Sequence, residues 1–465
     1  AHLDQVRTLL FEGRYAEAEK MAQEKLMGTR LERGLHTYQT LGDLHLGFQH
    51  SGEVTDYRRT LDLQNAIATV EYASDGVAFR REIFASAPDE VIVISLTASE
   101  KNSLNLALSI DRPGEAEQVV VDDNKLIMNG FAQHEGRGTN FSSIVQVKHT
   151  GGSLVGTGSS LLVKNATTVL ITVTGRTDFW DGDPQKLAEN DLAGLMISAS
   201  KKRAGRFYDD IKQRHINDYR SLFDRVELAL NEPDTLALPT NERLDRVKAG
   251  AQDPHLTELY FQYGRYLLIS SSRSANATGT VHGKSTDGAM TSLPGSPTGD
   301  PTGDPPASHP GDPAVNSTSD LAGNLEVSRS GALPANLQGI WEPTLSPPWN
   351  ADYHININIQ MNYWPALVTN IAECQFPFFD FVEGLQNRGR VTARETYGAR
   401  GFVAHHTTDA WQFTDLTGKT HWGLWPMGVA WCSDHFWEHY AFTGDTAFLA
   451  NRAYPLLKEA ALFFV

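Results

Sequence analysis

Ser103-Leu104-Asn105-Leu106-Ala107-Leu108-Ser109-Ile110 places an apolar residue at every second position. A strand sends successive side chains to opposite faces, so Leu104, Leu106, Leu108 and Ile110 share one face and need a core to cover it. Glu90-Val91-Ile92-Val93-Ile94-Ser95-Leu96 and Thr168-Val169-Leu170-Ile171-Thr172-Val173-Thr174 read the same way. Gly, Asn and Asp interrupt such runs about every ten residues, the punctuation of hairpins. Residues 34–182 are therefore predicted to form an antiparallel β-sandwich.

Moving outward, the period changes. Residues 186–229 are helical and charged, with Leu187, Leu192, Leu195, Met196, Phe207, Ile211, Tyr219 and Leu222 on the apolar stripe. Helical patterning resumes near residue 255 and runs to the C-terminus. Upstream, Val6, Leu9, Leu10, Tyr15, Ala18, Met21 and Leu26 fall at helical spacing. One such pair is like a single tetratricopeptide unit, which cannot bury its own face; an edge of a larger domain or a helical linker is the expected role. Residues 274–329 stand apart, rich in Pro, Gly, Ser, Thr and Asp. That composition cannot offset the entropy of ordering, and a disordered excursion without catalytic residues, or a misread junction, is expected there.

With 465 residues, two to four domains are expected. The net charge of −16 argues against binding nucleic acid, which needs concentrated Lys and Arg. Two cysteines, Cys374 and Cys432, cannot build a disulfide framework. No apolar run is long enough for a membrane span. The chain starts Ala1-His2-Leu3 without a signal core and stops inside the apolar Ala461-Leu462-Phe463-Phe464-Val465, so both ends are expected to be cut.

The chemistry concentrates in residues 331–366. From His354 to Gln360 the polar residues His354, Asn356, Asn358 and Gln360 alternate with Ile355, Ile357 and Ile359. In an extended segment all four polar groups face one way, and carboxamides offer donors and acceptors suited to sugar hydroxyls. The plainer alternative is an Asn-rich strand satisfying its own neighbours. A second cluster runs Ala404-His405-His406-Thr407-Thr408-Asp409-Ala410-Trp411, followed by Trp422, Trp425 and Trp431. Indoles beside acids and amides suit sugars, whose C–H faces stack on rings; helix packing is the competing role. His435-Phe436-Trp437-Glu438-His439 matches the HxxEH pattern of zinc peptidases. Phe436, Trp437, Tyr440 and Phe442 make an aromatic packing helix the preferred reading.

Together, Leu333-Pro334-Ala335-Asn336-Leu337-Gln338-Gly339-Ile340-Trp341, Tyr353 to Pro365, His405 to Trp411 and Trp422 to Asp445 resemble glycoside hydrolase family 95, the inverting α-L-fucosidases. The resemblance implies a multidomain β + α architecture: an N-terminal antiparallel β-sandwich, a helical linker, then a partial (α/α)6 toroid. The expected bounds are an N-terminal helical segment at 1–33, the sandwich at 34–182, the linker at 183–254 and the catalytic toroid at 255–465, interrupted by the low-complexity insert. Without that insert roughly 155 residues of toroid follow residue 255, enough for about half of twelve helices.

The resemblance further implies hydrolysis of terminal α-1,2-type fucosyl linkages with inversion, in which a glutamate donates the proton and asparagine carboxamides, with an aspartate, activate water. Asn356 and Asn358 match the water-activating pair. His354 matches the residue that meets the C6 methyl, favouring fucose over L-galactose. His405, His406, Thr408 and Asp409 match a motif near the site, and Trp422, Trp425 and Trp431 are candidate walls. The glutamate and its partner aspartate belong beyond Val465 in this reading, so residues 1–465 alone are expected to be inactive and poorly soluble. No cofactor or metal is implied. The expected partner is a fucosylated oligosaccharide or glycan, met outside the cell or in the periplasm; oligomeric state stays open. A non-catalytic glycan-binding protein, an α-L-galactosidase of the same family and an inverting phosphorylase are the rival readings, the last lacking an anion-binding loop in residues 331–440.

Overall fold

The computed structural model describes residues 2–27, 35–112, 114, 116–134, 137–180, 182–200, 207–230, 238–273 and 332–465. The segment read as a low-complexity excursion lies outside these residues. The chain opens with helices α1 (His2–Phe11) and α2 (Tyr15–Lys25), which bury Val6, Leu9, Ala18 and Ala22 against one another. Their other support comes from far along the chain: Gln23 donates to the Gly418 carbonyl at 3.2 Å and accepts from the Thr420 amide at 3.0 Å. The pair is thus an edge piece of a larger body.

Twelve strands follow among the described residues: β1 (Asp43–Phe48), β2 (Val54–Asp62), β3 (Ile67–Ser74), β4 (Val77–Ser86), β5 (Val91–Ala98), β6 (Leu104–Asp111), β7 (Ala116–Asp122), β8 (Lys125–His134), β9 (Arg137–Thr150), β10 (Ser153–Thr157), β11 (Ser160–Ala166) and β12 (Thr168–Thr177). They form a four-stranded sheet, β1-β6-β11-β10, facing an eight-stranded sheet, β2-β3-β4-β5-β12-β9-β8-β7. The alternating residues of β6 sit in the core between the sheets with Leu96, Leu126, Met128, Val145, Val169 and Ile171.

Strand β5 explains its own unbroken apolar run. Ile94 and Leu96 face the sandwich core. Val91 and Val93 point the other way, onto Leu195 of α3 (Pro184–Ser200) and Ile211 of α4 (Phe207–Phe223). A strand covered on both faces loses the apolar–polar alternation. The helical linker therefore forms a third layer on the large sheet, with Ala188 and Leu192 packed on Ile127 and Ile144.

Beyond α5 (Thr240–Lys248), helix α6 (Pro254–Ser271) begins the helical body. Asp253 caps it, accepting from the Leu256 amide at 2.9 Å, and Pro254 fills the first turn, where its missing N–H costs nothing. Buried Arg265 joins α6 to the end of α4: its guanidinium donates to the carbonyls of Leu222, Phe223 and Val226 at 2.8–3.1 Å. Leu222 and Phe223 carry the last carbonyls of α4, which lack the amides of a further helical turn; Val226 lies just past its end.

The rest comprises β13 (Tyr353–His354), α7 (Asn358–Tyr363), α8 (Pro365–Val368), α9 (Phe376–Thr392), β14 (Thr407–Thr408), α10 (Thr420–Gly423), α11 (Gly428–Thr443), α12 (Thr446–Phe448) and α13 (Tyr454–Leu462). Phe378, Phe379, Val382, Leu385, Val429, Cys432, Phe436 and Leu456 are buried in one core with Leu268 and Ile269 of α6. This is the helix-on-helix packing of part of an α/α toroid. The predicted extended run from His354 to Gln360 is not what forms. The strand ends at His354, residues 355–357 turn, and Asn358 opens a helix. The zinc-like pattern on α11 is packed away: His439 Nδ1 lies 2.9 Å from Gln375 Oε1, and His435 sits edge-on to Phe378.

Candidate active site

The site is built on a two-residue antiparallel ladder, Tyr353 opposite Thr408 and His354 opposite Thr407, extended by the Ile355 amide bonding the His406 carbonyl at 2.9 Å. Tyr353, Ile355, Ile359 and Tyr363 anchor this stretch in the helical core. The Tyr363 hydroxyl accepts from the Ala335 amide at 3.0 Å and meets Ser272 Oγ at 2.6 Å. The Leu337 amide donates to the Asp352 carbonyl at 3.0 Å, and Asn362 Nδ2 to the Asn336 carbonyl at 3.0 Å. These bonds lay the 333–341 motif along the ladder.

On the other side of the strand, His354 Nδ1 lies 2.5 Å from Oδ1 of buried Asp352. Burial pushes the Asp352 carboxyl above its ordinary range, against the pull of the hydrogen bond to His354. The His354 ring stands edge-on to His406 at 6.1 Å, and His406 edge-on to Trp422 at 5.0 Å. Burial, reinforced by His354 and His405, brings His406 down to about 4, so it is a neutral imidazole at ordinary pH. Asp409 is buried and accepts two backbone amides, from His36 at 3.0 Å and Phe413 at 3.2 Å.

One property sets this place apart. Asn336 Nδ2, Gln338 Oε1, Asn356 Oδ1, His406 Nδ1 and Thr408 Oγ1 are all buried without a hydrogen-bond partner. Each such group costs about 1–3 kcal/mol if left unpaired, so a concentration of them marks where a polar guest belongs.

The residues singled out from sequence divide as follows. His354, His406, Thr408, Asp409 and Trp422 gather around the ladder, with Asn356 on the turn that leaves it and Asn358 at the first residue of α7. Trp422 is 45 % exposed, its ring lying over Gly418 on one side. His405 turns inward, with Nε2 2.6 Å from the Tyr397 hydroxyl and Nδ1 2.8 Å from the Thr414 carbonyl. It supports the wall from behind. Trp425 and Trp431 have each other as ring partners at 6.2 Å, at the start of α11. Gln360, read as a fourth polar group beside His354, is buried instead and donates to the Ile355 carbonyl at 2.7 Å.

Sequence reasoning passed over Asp352 and His36. Asp352 had a signal, since two residues before His354 on a strand is the same face. His36 had none. For metals, the described residues offer one grouping of three possible ligands, Asp43, His45 and Asp111, all exposed on the small sheet. No helix among the described residues is long and apolar enough to cross a membrane.

A β-sandwich feeding an α/α helical body, with amides, carboxylates and an exposed indole gathered at one place, is an arrangement suited to holding a sugar. Residues 207–290 and 325–465 match the glycosyl hydrolase family 95 catalytic domain, and residues 1–182 match the N-terminal domain of glycosyl hydrolase family 65. The chain is 35 % identical to alpha-L-fucosidase 2 of Arabidopsis thaliana over all of its own length and 51 % of that protein. It is 27 % identical to a probable alpha-fucosidase A of Aspergillus niger, covering 92 % of this chain and 48 % of the relative. Among solved structures, a putative kojibiose phosphorylase from human microbiome shares the fold at 10 % identity and a TM-score of 0.55, over 92 % of this chain and 50 % of that one. The chain belongs to glycoside hydrolase family 95. It spans about half the length of the fucosidases it matches.

Proposed function

We propose that these residues form the sugar-recognising and water-activating part of an α-L-fucosidase that removes terminal, α-1,2-linked fucose with inversion. The observation that carries this is the set of buried, unpartnered polar atoms on Asn356, His406 and Thr408 beside the exposed ring of Trp422. A pyranose brings the hydroxyls those atoms lack and a C–H face for the indole. Inversion needs an acid and a water-activating group on opposite sides of the sugar, with room for the water between them. Asn356 and Asn358 take the water's side, where an amide is effective only if a carboxylate polarises it. His354 meets the C6 methyl, which selects fucose over L-galactose.

The carboxylates that hydrogen bonds tie to this ladder are Asp352 and Asp409, both committed to neighbours on the chain itself. The proton donor is a glutamate that these residues do not supply. Without it about 10²–10⁴-fold of rate is lost, so residues 1–465 alone bind fucose but release it from a glycoside very slowly. The substrates are glycans displayed outside the cell, and the protein acts there or in the periplasm.

The test is titration of L-fucose and 2′-fucosyllactose into residues 1–465, followed by assay of free fucose. Binding that Asn356→Ala weakens at least tenfold, with little release, is the expected result. Absence of binding refutes the site; rapid release refutes the missing acid. Preference for L-galactose over L-fucose overturns the role of His354.

A further inference from the structure

We propose that residues 35–39, ahead of the sandwich, are a positioning strap of the sugar site, holding Asp409 and the 345–352 segment in register across the β13–β14 seam. This inference rests on the fucose-binding reading above.

A ladder of two residue pairs is too short to hold its own register, yet β13 and β14 carry His354 and Thr408. The strap binds both sides of it. On the β14 side, the His36 amide donates to Asp409 Oδ2 at 3.0 Å, and the His36 ring packs on Trp411 at 4.1 Å. On the β13 side, the Tyr38 amide donates to the Asn350 carbonyl at 2.9 Å, and Thr37 Oγ1 to Asn350 Oδ1 at 3.4 Å. Gln39 donates to the Leu345 carbonyl at 3.1 Å while accepting from Arg112 at 2.7 Å, which ties the strap to the sandwich.

The strap also meets the most strained backbone near the site. Trp349, Asn350 and Ala351 have φ of 49°, 58° and 46°, three consecutive non-glycine residues in the left-handed region. Such a run persists only where its surroundings fix it, and Tyr38 and Thr37 hold its middle residue. Asp352, the partner of His354, follows directly. Sugar recognition on the helical body is thus set in part by a segment more than 300 residues away in sequence.

The experiment measures L-fucose affinity and amide hydrogen exchange in residues 1–465 and two variants. His36→Pro removes the amide that bonds Asp409; Thr37→Ala with Gln39→Ala cuts the side-chain anchors and keeps every backbone donor. Fucose is expected to slow exchange in 35–41 and 405–413 together. His36→Pro should weaken fucose at least tenfold and the double variant severalfold, each with a melting temperature within a few degrees of the parent. A purely structural strap would move the melting temperature and leave the affinity of the folded protein alone, and that result overturns the inference. If the parent does not bind fucose, the functional reading fails by itself. The strap is then judged by exchange: unchanged protection of 405–413 in His36→Pro overturns it.

Discussion

Nδ1 of His354 lies 2.5 Å from Oδ1 of Asp352, a carboxylate whose side chain is only 2 % exposed. An ionised carboxylate can only accept, so this hydrogen bond places a proton on Nδ1 and leaves Nε2 as the ring's other position. The tautomer of a histidine is set in this way by the partner of its other nitrogen.

Asp352→Asn should therefore release the tautomer, because an amide can offer either an acceptor or a donor to Nδ1. The imidazole ¹⁵N shifts of His354 are expected to move from one dominant tautomer to a mixture, and L-fucose to bind several-fold more weakly. Unchanged ¹⁵N shifts would falsify the role given to Asp352.

Gly428 begins α11 where the helix touches the ladder. A Cβ there would stand 2.4 Å from the His405 carbonyl and 2.5 Å from Ile355 Cδ1. The carbonyl belongs to the backbone leading into β14 and cannot swing aside as a side-chain tip would. Gly428→Ala is expected to cost about 1–3 kcal/mol of stability, the usual range for overpacking, and to weaken fucose binding by displacing His405 and His406. Thermal melting and titration check both; a variant that melts and binds like the parent shows that the contact relaxes freely.

Arg265 tests the join between the linker helices and the helical body. Its guanidinium satisfies three backbone carbonyls and Gln262 Oε1 in a buried site. Arg265→Met keeps most of the apolar volume but takes the donor from the Phe223 carbonyl and Gln262 Oε1, at about 1–3 kcal/mol each where water cannot reach them; Val226 keeps Gln262 Nε2 and Leu222 the Arg225 amide. Loss of about 2 kcal/mol or more is expected, read as a lower urea midpoint with the far-UV β signal of the folded protein retained. A midpoint equal to the parent's would show that water replaces the arginine.

Much of this was legible from local pattern. Leu104, Leu106, Leu108 and Ile110 are all buried as their alternation demands, and the α4 stripe of Ile211, Tyr219 and Leu222 is buried at its helical spacing. The 354–360 stretch was misread for a physical reason: Ile355 and Ile359 are two strand steps of two apart, but also i and i+4. Both periods bury those two. The residue that decides is Ile357, which a strand would bury and the turn leaves 38 % exposed. The His36–Asp409 bond spans 373 residues, and no local period encodes a contact of that range. The order of strands in the large sheet was hidden likewise, since β12 inserts between β5 and β9.

The buried histidines set the response to pH. His406, His435 and His439 are each brought down to about 4 by burial, and His215 and His405 are lowered for the same reason. In the unfolded chain these rings titrate near about 6.5. Between that pH and about 4 the unfolded chain binds protons that the folded one refuses, so stability falls as pH drops through this window. Each group contributes up to about 1.4 kcal/mol per pH unit. The raised Asp352 carboxyl works in the opposite direction, because the folded state holds its proton more readily than the unfolded chain. Asp434 is raised by burial as well, and His50 is lowered, so two carboxyls stand against six imidazoles and the histidines stay in control. The melting temperature is therefore expected to be flat above pH 7 and to fall steadily from pH 6.5 to 4.5. His435, whose ring lies against Phe378 with Nδ1 unpartnered, is the cleanest probe. His435→Phe removes one titrating ring while keeping the packing, and should make the acid side of the profile shallower. A melting temperature that holds steady down to pH 4.5 in the parent would mean that water reaches these rings.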